Sequence, residues 1–240
     1  MGKTAGISIE TSIFVNMRKL LLLIPFLVAG CMQLAQKPFT ARERQIITLQ
    51  DSLLYVTVWP LDSAVLCTPS IDFGPRELRS PELQTLMAKM LYTLCDPSQD
   101  GVGIAGPQVG IGRRIIWVQR LDKADRPYEC YLNVRIDSLS GATNCGPEGC
   151  LSLPGLRGMV PRREVAYISY VSPDSLAGIK GSSLPARSHE KIEGYTAIIF
   201  QHECDHLDGV LYIDRADTVF ENAAWAAERA AYDYSRPEWW

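Results

Sequence analysis

Charge of one sign, long apolar runs and repeats are all missing from this chain of 240 residues. Its formal net charge is −3, which gives no electrostatic footprint for nucleic acid or an acidic lipid surface. No nucleic-acid partner is therefore expected. The apolar run Leu20–Val28, broken at Pro25, falls short of the roughly 20 residues that a membrane-spanning helix needs. Internal repeats and low-complexity blocks are absent, which excludes solenoids and linker-like disorder. Cysteine is present but does not pair off. Of the seven, Cys31 and Cys150 have separate roles below, leaving Cys67, Cys95, Cys130, Cys145 and Cys204. An odd remainder excludes a fully paired disulfide framework, and a chain this long does not need one. Cys67 and Cys95 are expected as free buried thiols, Cys204 as core, and Cys130 and Cys145 stay open. What is left is the composition of an ordinary globular protein, long enough for one well-cored domain and a short extension.

The N-terminus carries more information. Arg18 and Lys19 precede the apolar run, and Val28-Ala29-Gly30-Cys31 follows it. Basic flank, short apolar stretch and small residues before a cysteine resemble the signal and lipobox of bacterial lipoproteins, in which Cys31 would be lipidated and become the new N-terminus. The alternative is a buried apolar helix with an incidental cysteine. Met1–Asn16 fit neither core nor signal, and Met17 would place the basic pair directly after a start. The expected organisation is a signal over residues 1–31, a tether over 32–59, a catalytic domain over 60–218 and a helical tail over 219–240. Used as an address, the signal puts the protein in the cell envelope on a lipid anchor at Cys31.

Within the tether, Ala41–Leu54 could form a short helix. Pro60–Pro75 is turn-rich. Ser80-Pro81-Glu82 opens a helix with a capping side chain and a proline in the first turn. Leu83, Leu86, Met87, Met90, Leu91 and Leu94 then recur at helical spacing and give it one core face. Asp100–Gly112 is glycine-rich. Arg114–Arg120, Tyr128–Ile136 and Val165–Val171 read as strands, Gly178–Pro185 as loop and Ile192–Asp208 as a helix. Strands grouped around a few helices predict an α+β fold: antiparallel or mixed sheets around a central helix.

That last helix holds His202-Glu203-Cys204-Asp205-His206. Residues four apart lie one turn apart on one helix face, so both imidazoles can reach one ion, with the Glu203 carboxylate beside it. A metal lowers the pKa of bound water, and a neighbouring carboxylate can move the proton. The same five residues also occur by chance on ordinary helices. A third ligand gives the motif context. Downstream, Asp208, Asp214 and Asp217 are available and nothing singles one out. Upstream, Glu148-Gly149-Cys150-Leu151-Ser152 offers a thiolate in a glycine-flanked, extended segment. Two imidazoles and a thiolate leave a coordination position open, which is a catalytic arrangement. Cys204 points away from the histidines.

Three segments, Gly101-Val102-Gly103-Ile104-Ala105-Gly106-Pro107-Gln108, Glu148 to Ser152, and Gln201 to Gly209, resemble the three motifs of peptide deformylases in order and spacing. The likeness runs from about Pro60 to Thr218. It implies a metal-dependent hydrolase in which water activated at the metal attacks the formyl carbon of an N-formylmethionyl peptide, releasing formate. Carried over residue by residue, it assigns Cys150, His202 and His206 to the metal and Glu203 to the proton. Gln108 and the Leu151 N–H go to the developing oxyanion. Gly103, Gly149 and Arg157 go to the peptide, although Gln108 and Arg157 also read as solvated side chains. Tyr195, Ile198 and Ile199 share the face of His202 and would wall a methionine pocket, or simply pack the core. The resemblance implies Fe2+, with Zn2+, Ni2+ or Co2+ accepted by the same donors.

Three departures stand out. The family more often has alanine where Gly106 stands, and a glycine there is expected to loosen the loop. Gly146-Pro147 replaces bulkier or charged residues, which bears on pocket width. A lipoprotein signal would also separate this enzyme from the ribosome, where deformylases meet their substrates. The rival readings are an envelope metallopeptidase and a non-catalytic lipoprotein that binds formyl peptides or metal.

Overall fold

The computed structural model describes residues 37–59, 61–98, 101–178 and 183–221. The signal, Cys31 and the tail beyond residue 221 lie outside them.

The first element is not a tether. Helix α1 (Ala41–Ile47) starts at Thr40, whose hydroxyl accepts from the Glu43 N–H while the Glu43 carboxylate accepts from the Thr40 N–H. This reciprocal cap satisfies two N–H groups that the first turn leaves over. Phe39, Ile46, Ile47 and Leu54 sink into the same cluster as Leu83, Leu86, Met90 and Leu94. Glu43 is itself buried and pairs with the fully buried Arg113 at 2.9 Å. The expectation of a tether over 32–59 is thus corrected for residues 38–59: apolar residues spaced through a polar-mixed stretch made it look solvated, yet Phe39, Ile46, Ile47, Leu54, Val56 and Val58 are buried, while Leu53 and Trp59 stay exposed. Its last residues brace later ones. The Thr57 N–H donates to the Gln108 carbonyl and the Trp59 N–H to the Ser152 carbonyl, at 2.8 and 2.9 Å.

A single turn, α2 (Ser63–Leu66), leads to α3 (Pro81–Leu94), where the Ser80 hydroxyl accepts from the Leu83 N–H and Pro81 takes the first turn. The glycine-rich stretch contributes β1 (Gly103–Ala105) and a 3-10 turn over Gly106–Val109. Then come β2 (Ile115–Gln119), β3 (Tyr128–Cys150), β4 (Leu153–Val171), β5 (Ser188–Glu193), helix α4 (Gly194–Leu207) and β6 (Thr218–Glu221). The six strands form one sheet in the order β1-β2-β3-β4-β5, every strand pair antiparallel, with β6 added to β4 beside β5's partner segment. α4 lies on the sheet and buries Ala197, Ile199, Phe200, Cys204 and Leu207 against Ile116, Val134 and Ile168. The α+β architecture around one central helix is the one expected.

Several boundaries differ. β3 and β4 run far beyond the short strands read from the sequence and form one long hairpin whose register shifts four times, between Leu132 and Arg135, Ile136 and Ser138, Ser140 and Thr143, and Glu148 and Cys150. Each shift breaks the alternation of inward and outward side chains on which strand reading relies. Ile192 belongs to β5, opposite Ala166, and not to the metal-motif helix. Residues 219–221, expected in a helical tail, are strand, pairing with Leu156–Gly158. Cys67 and Cys95 are exposed, while Cys130 and Cys204 are buried.

Candidate metal centre and active site

The two-residue turn Leu151–Ser152 joins β3 to β4, with Cys150 opposite Leu153. It carries the Cys150 thiol under α4, whose His202 and His206 rings stand one turn apart with centroids 5.0 Å from each other. One donor atom from each of Cys150, His202 and His206 lies within 4.8 Å of the other two. Cys150 Sγ and His206 Nε2 are 3.2 Å apart. One soft thiolate and two imidazoles, converging and buried, suit a divalent transition metal. The protonation pattern agrees. Burial opposes ionisation of Cys150, but the charges and hydrogen bonds of His206 and His202 outweigh it and hold its thiol well below the usual range. Burial likewise opposes charge on His202, yet Cys150 and Glu148 raise it well above the ordinary imidazole value. A thiolate at Cys150 beside a positively charged His202 ring is thus favoured, and a cation on the donors supplies the same compensation.

Orientation comes from around this trio. His202 Nδ1 donates to Glu148 Oε2 at 2.8 Å, which fixes the tautomer and turns Nε2 toward the thiol. Glu148 is gripped by Arg162 through Nε at 2.7 Å and Nη2 at 3.0 Å. Burial would raise the Glu148 pKa, but His202 and Arg162 bring it down to about 2. Arg162 Nη1 continues to Asp205 at 2.6 Å, and Arg215 closes on the same carboxylate with bonds of 2.7 and 2.8 Å. The Tyr212 ring stacks on His202. Cys150 Sγ also accepts from the Ser152 N–H and from Gln108 Nε2, each at 3.4 Å. None of these supporting contacts was read from the sequence. Glu148 had a signal, two positions before Cys150 on a strand and so nominally on its face. Arg162, Asp205, Arg215 and Tyr212 meet the site only through tertiary packing.

Gln108 is held so that its two ends are distinguishable. Its Oε1 accepts from the Ala105 N–H at 2.8 Å, so its NH2 faces the thiol. Its neighbour Gly106 does not loosen the loop. A Cβ there would lie 2.5 Å from the Arg113 carbonyl and 2.7 Å from that of Ile111, so this glycine allows a tighter turn than an alanine could.

Glu203 is buried, and its Oε2 has no protein hydrogen-bond partner. Burial pushes its pKa up to about 7, against the pull of His202 and His206. Gly103 stands directly in front of it: a Cβ would come within 2.5 Å of Glu203 Oε1. Gly149 performs the same service for Arg157, whose guanidinium lies across it.

A cavity of about 310 Å3 brings these groups together. Gln108, Cys150, Leu151, His202 and Glu203 line it, as do Gly103, Gly149, Arg157, Tyr195, Ile198 and Ile199. His206 lies beneath, 1% exposed. Tyr195 is on the rim and Ile199 at the base. The carboxylates weighed as third ligands have other partners. Asp208 pairs with Arg114 at 2.6 Å, Asp214 accepts from the Leu211 N–H, and Asp217 faces Cys145.

Comparison with known proteins gives the site its relatives. The family described as polypeptide deformylase matches residues 56–221. A peptide deformylase of Leptospira biflexa is 34% identical over 162 residues, which is 65% of this chain and 84% of that protein. One from Desulforudis audaxviator is 35% identical over 156 residues, covering 64% and 91%. The Met-Ala-Ser-bound crystal structure of the class I type b peptide deformylase from Acinetobacter baumannii superposes with a TM-score of 0.56 at 31% identity, over 68% of this chain and 98% of that one. The matched region spans the sheet, α4 and every residue of the site. This chain belongs to the polypeptide deformylase family.

Proposed function

We propose that this protein is a metal-dependent hydrolase that removes the formyl group from N-formylmethionyl peptides or proteins and releases formate. The observation that carries the reading is the convergence of Cys150, His202 and His206 with the unpartnered Glu203 carboxylate oxygen and the aimed Gln108 amide in one cavity. A divalent cation on the three donors supplies a Lewis acid and lowers the pKa of water at neutral pH.

The chain's own residues do the rest. Water adds its oxygen to the formyl carbon, and the bond from that carbon to the peptide nitrogen breaks. Glu203 takes the water proton and delivers it to the leaving amine, so the products are formate and a peptide with a free N-terminus. As the formyl oxygen gains charge, Gln108 Nε2 and the Leu151 N–H are the donors that face it. Fixed donors directed at developing charge are worth more than mobile ones because they need no reorganisation. Arg157 and Gly149 border the approach of the peptide, and Ile198, Ile199 and Tyr195 wall the methionine side chain. The Acinetobacter baumannii relative with Met-Ala-Ser bound supports a peptide ligand beginning with methionine.

Fe2+ is the proposed metal, on the donor set and the family resemblance; Zn2+, Ni2+ and Co2+ suit the same ligands. The envelope location belongs to the proposal too, resting on the order Arg18-Lys19, Leu20–Val28 and Val28-Ala29-Gly30-Cys31. Incorporation of an alkyne-labelled fatty acid that is lost in Cys31→Ala tests it, and unlabelled protein in the cytosolic fraction would remove it.

The deciding experiment is anaerobic formate release from formyl-Met peptides by residues 32–240 loaded with Fe2+. Glu203→Ala should lower kcat by about 10²–10⁴-fold while metal content by elemental analysis stays at the wild-type level. Full turnover in that variant would remove Glu203 from the proton path. A metal-loaded wild type that releases no formate would leave a binding protein.

A further inference from the structure

Strand β6 brings an aromatic side chain next to a residue of the catalytic cavity. Near the site β4 lies between β3 and β6: Gly158 is opposite Glu148 and Val219, and Met159 is opposite Pro147 and Thr218. One position earlier, Arg157 is opposite Phe220. Directly opposed residues hold their Cβ atoms about 4.5–5.5 Å apart on one face of the sheet, so the Phe220 ring starts beside the Arg157 stem. Arg157 lines the cavity, and its guanidinium lies across Gly149, another lining residue. Gly149, Arg157 and Phe220 thus follow one another outward on three neighbouring strands.

Phe220 is 46% exposed. One exposed apolar side chain needs no explanation by itself; its position beside the cavity does. The other face of β4 here packs on the protein, since a Cβ at Gly158 would come within 2.9 Å of Ala216 and of the Tyr212 ring. Side chains alternate along a strand, so Val219, opposite Gly158, takes that face and Phe220 the face that bears Arg157. The course of a peptide follows from the same walls. In the deformylase reading the first side chain rests on Tyr195, Ile198 and Ile199 of α4. Side chain and main chain diverge from one Cα, so the chain leaves along the sheet wall, where Gly149 and Arg157 stand. An extended peptide advances about 3.4 Å per residue, which puts its third Cα about 7 Å from the first. Two strand spacings, about 10 Å, separate Gly149 from Phe220, and the third side chain spans the remainder.

We propose that Phe220 determines specificity at the third residue of the substrate, packing against its side chain and favouring a large apolar or aromatic one. The proposal rests on the deformylase reading and extends it from the formyl-methionine end to the chain behind it. The Phe220 ring and the carbon stem of Arg157 offer adjoining apolar surface, and covering it with an aromatic side chain is favourable through buried area and ring contact. A serine at the third position covers little of it.

The test compares kcat/KM for formyl-Met-Ala-Phe and formyl-Met-Ala-Ser amides on the Fe2+-loaded enzyme. The wild type should prefer phenylalanine about five- to tenfold, the scale of one aromatic contact with its buried area. Phe220→Thr keeps a residue suited to a strand and should abolish the preference. Val219→Thr alters the same strand on its other face and should retain it. A wild type indifferent to the third residue, a preference that survives Phe220→Thr, or one lost equally in Val219→Thr overturns the proposal. Calorimetry of unformylated Met-Ala-Phe and Met-Ala-Ser amides on the same proteins separates this from a failure of the deformylase reading. If no formate is released, tighter binding of Met-Ala-Phe by the wild type and not by Phe220→Thr sustains the contact, and equal or undetectable binding of the two refutes it.

Discussion

Glu148 shows how much of a metal site lies in residues that never touch the metal. Its carboxylate holds His202 Nδ1 at 2.8 Å and is itself clamped by Arg162. Glu148→Ala would free the His202 ring to rotate and leave Arg162 facing a gap. Loss of a partner that orients a ligand typically costs about 10–100-fold in metal affinity, and that is the expected outcome, measured by competition with a chromophoric chelator. Unaltered affinity would mean that stacking on Tyr212 alone orients the ring. The ligands themselves were legible because a helix imposes its own geometry: His202 and His206 had to share a face. Cys150 was legible only as the thiolate in a glycine-flanked segment and through the resemblance to a family motif. Gly103 was read as a place for substrate backbone, whereas the contact the structure adds is with Glu203, whose carboxylate fills the volume a Cβ would take. No local pattern encodes a contact between residues 103 and 203.

At the scale of elements, α3 and α4 were legible for different reasons: α3 has an apolar stripe behind a Ser-Pro cap, and α4 has its paired histidines. The β3–β4 hairpin was only half legible. Gly141, Pro147, Gly155 and Pro161 are of types that favour turns, yet all lie inside strands, Gly141 and Gly155 with positive φ near +79° and +78°. Bulges make such positions tolerable, and they bend the hairpin. β5 was missed because its single deeply buried side chain, Ile192, sits in the polar sequence Ser-His-Glu-Lys-Ile-Glu. The segment read as tether has a mechanical consequence. Thr57 Oγ1 donates to the Pro107 carbonyl at 2.9 Å and its N–H to that of Gln108, so the arm holds the turn that aims the Gln108 amide. Thr57→Val removes the side-chain bond in a buried setting and should destabilise the fold by about 1–3 kcal/mol, seen as a lower urea midpoint. A severalfold fall in kcat with KM held should accompany it. Loss of stability with full kcat would show that Gln108 is held well enough by Ala105 alone.

For the whole molecule, the site is a junction. Cys150 arrives on the sheet hairpin and His202 and His206 on the helix packed over it, with Cys150 and His206 separated by 56 residues in sequence. Only the folded chain presents all three donors together; the unfolded chain keeps at best the pair of histidines four apart. A metal that binds the native state preferentially stabilises it by RT ln(1 + [L]/Kd), about 4.1 kcal/mol when free metal is 1,000 times Kd. Domains of this size shift their Tm by about 2–4 °C per kcal/mol. Adding Zn2+ in excess to chelator-stripped protein should therefore raise the Tm by several degrees, up to about 16 °C on those two relations. Cys150→Ser should lose most of the shift because a hydroxyl replaces the thiolate. The shift tests assembly of the site without relying on turnover. A Tm indifferent to metal in the wild type would mean that the three donors do not act together on one ion, and it would take the proposed chemistry with it.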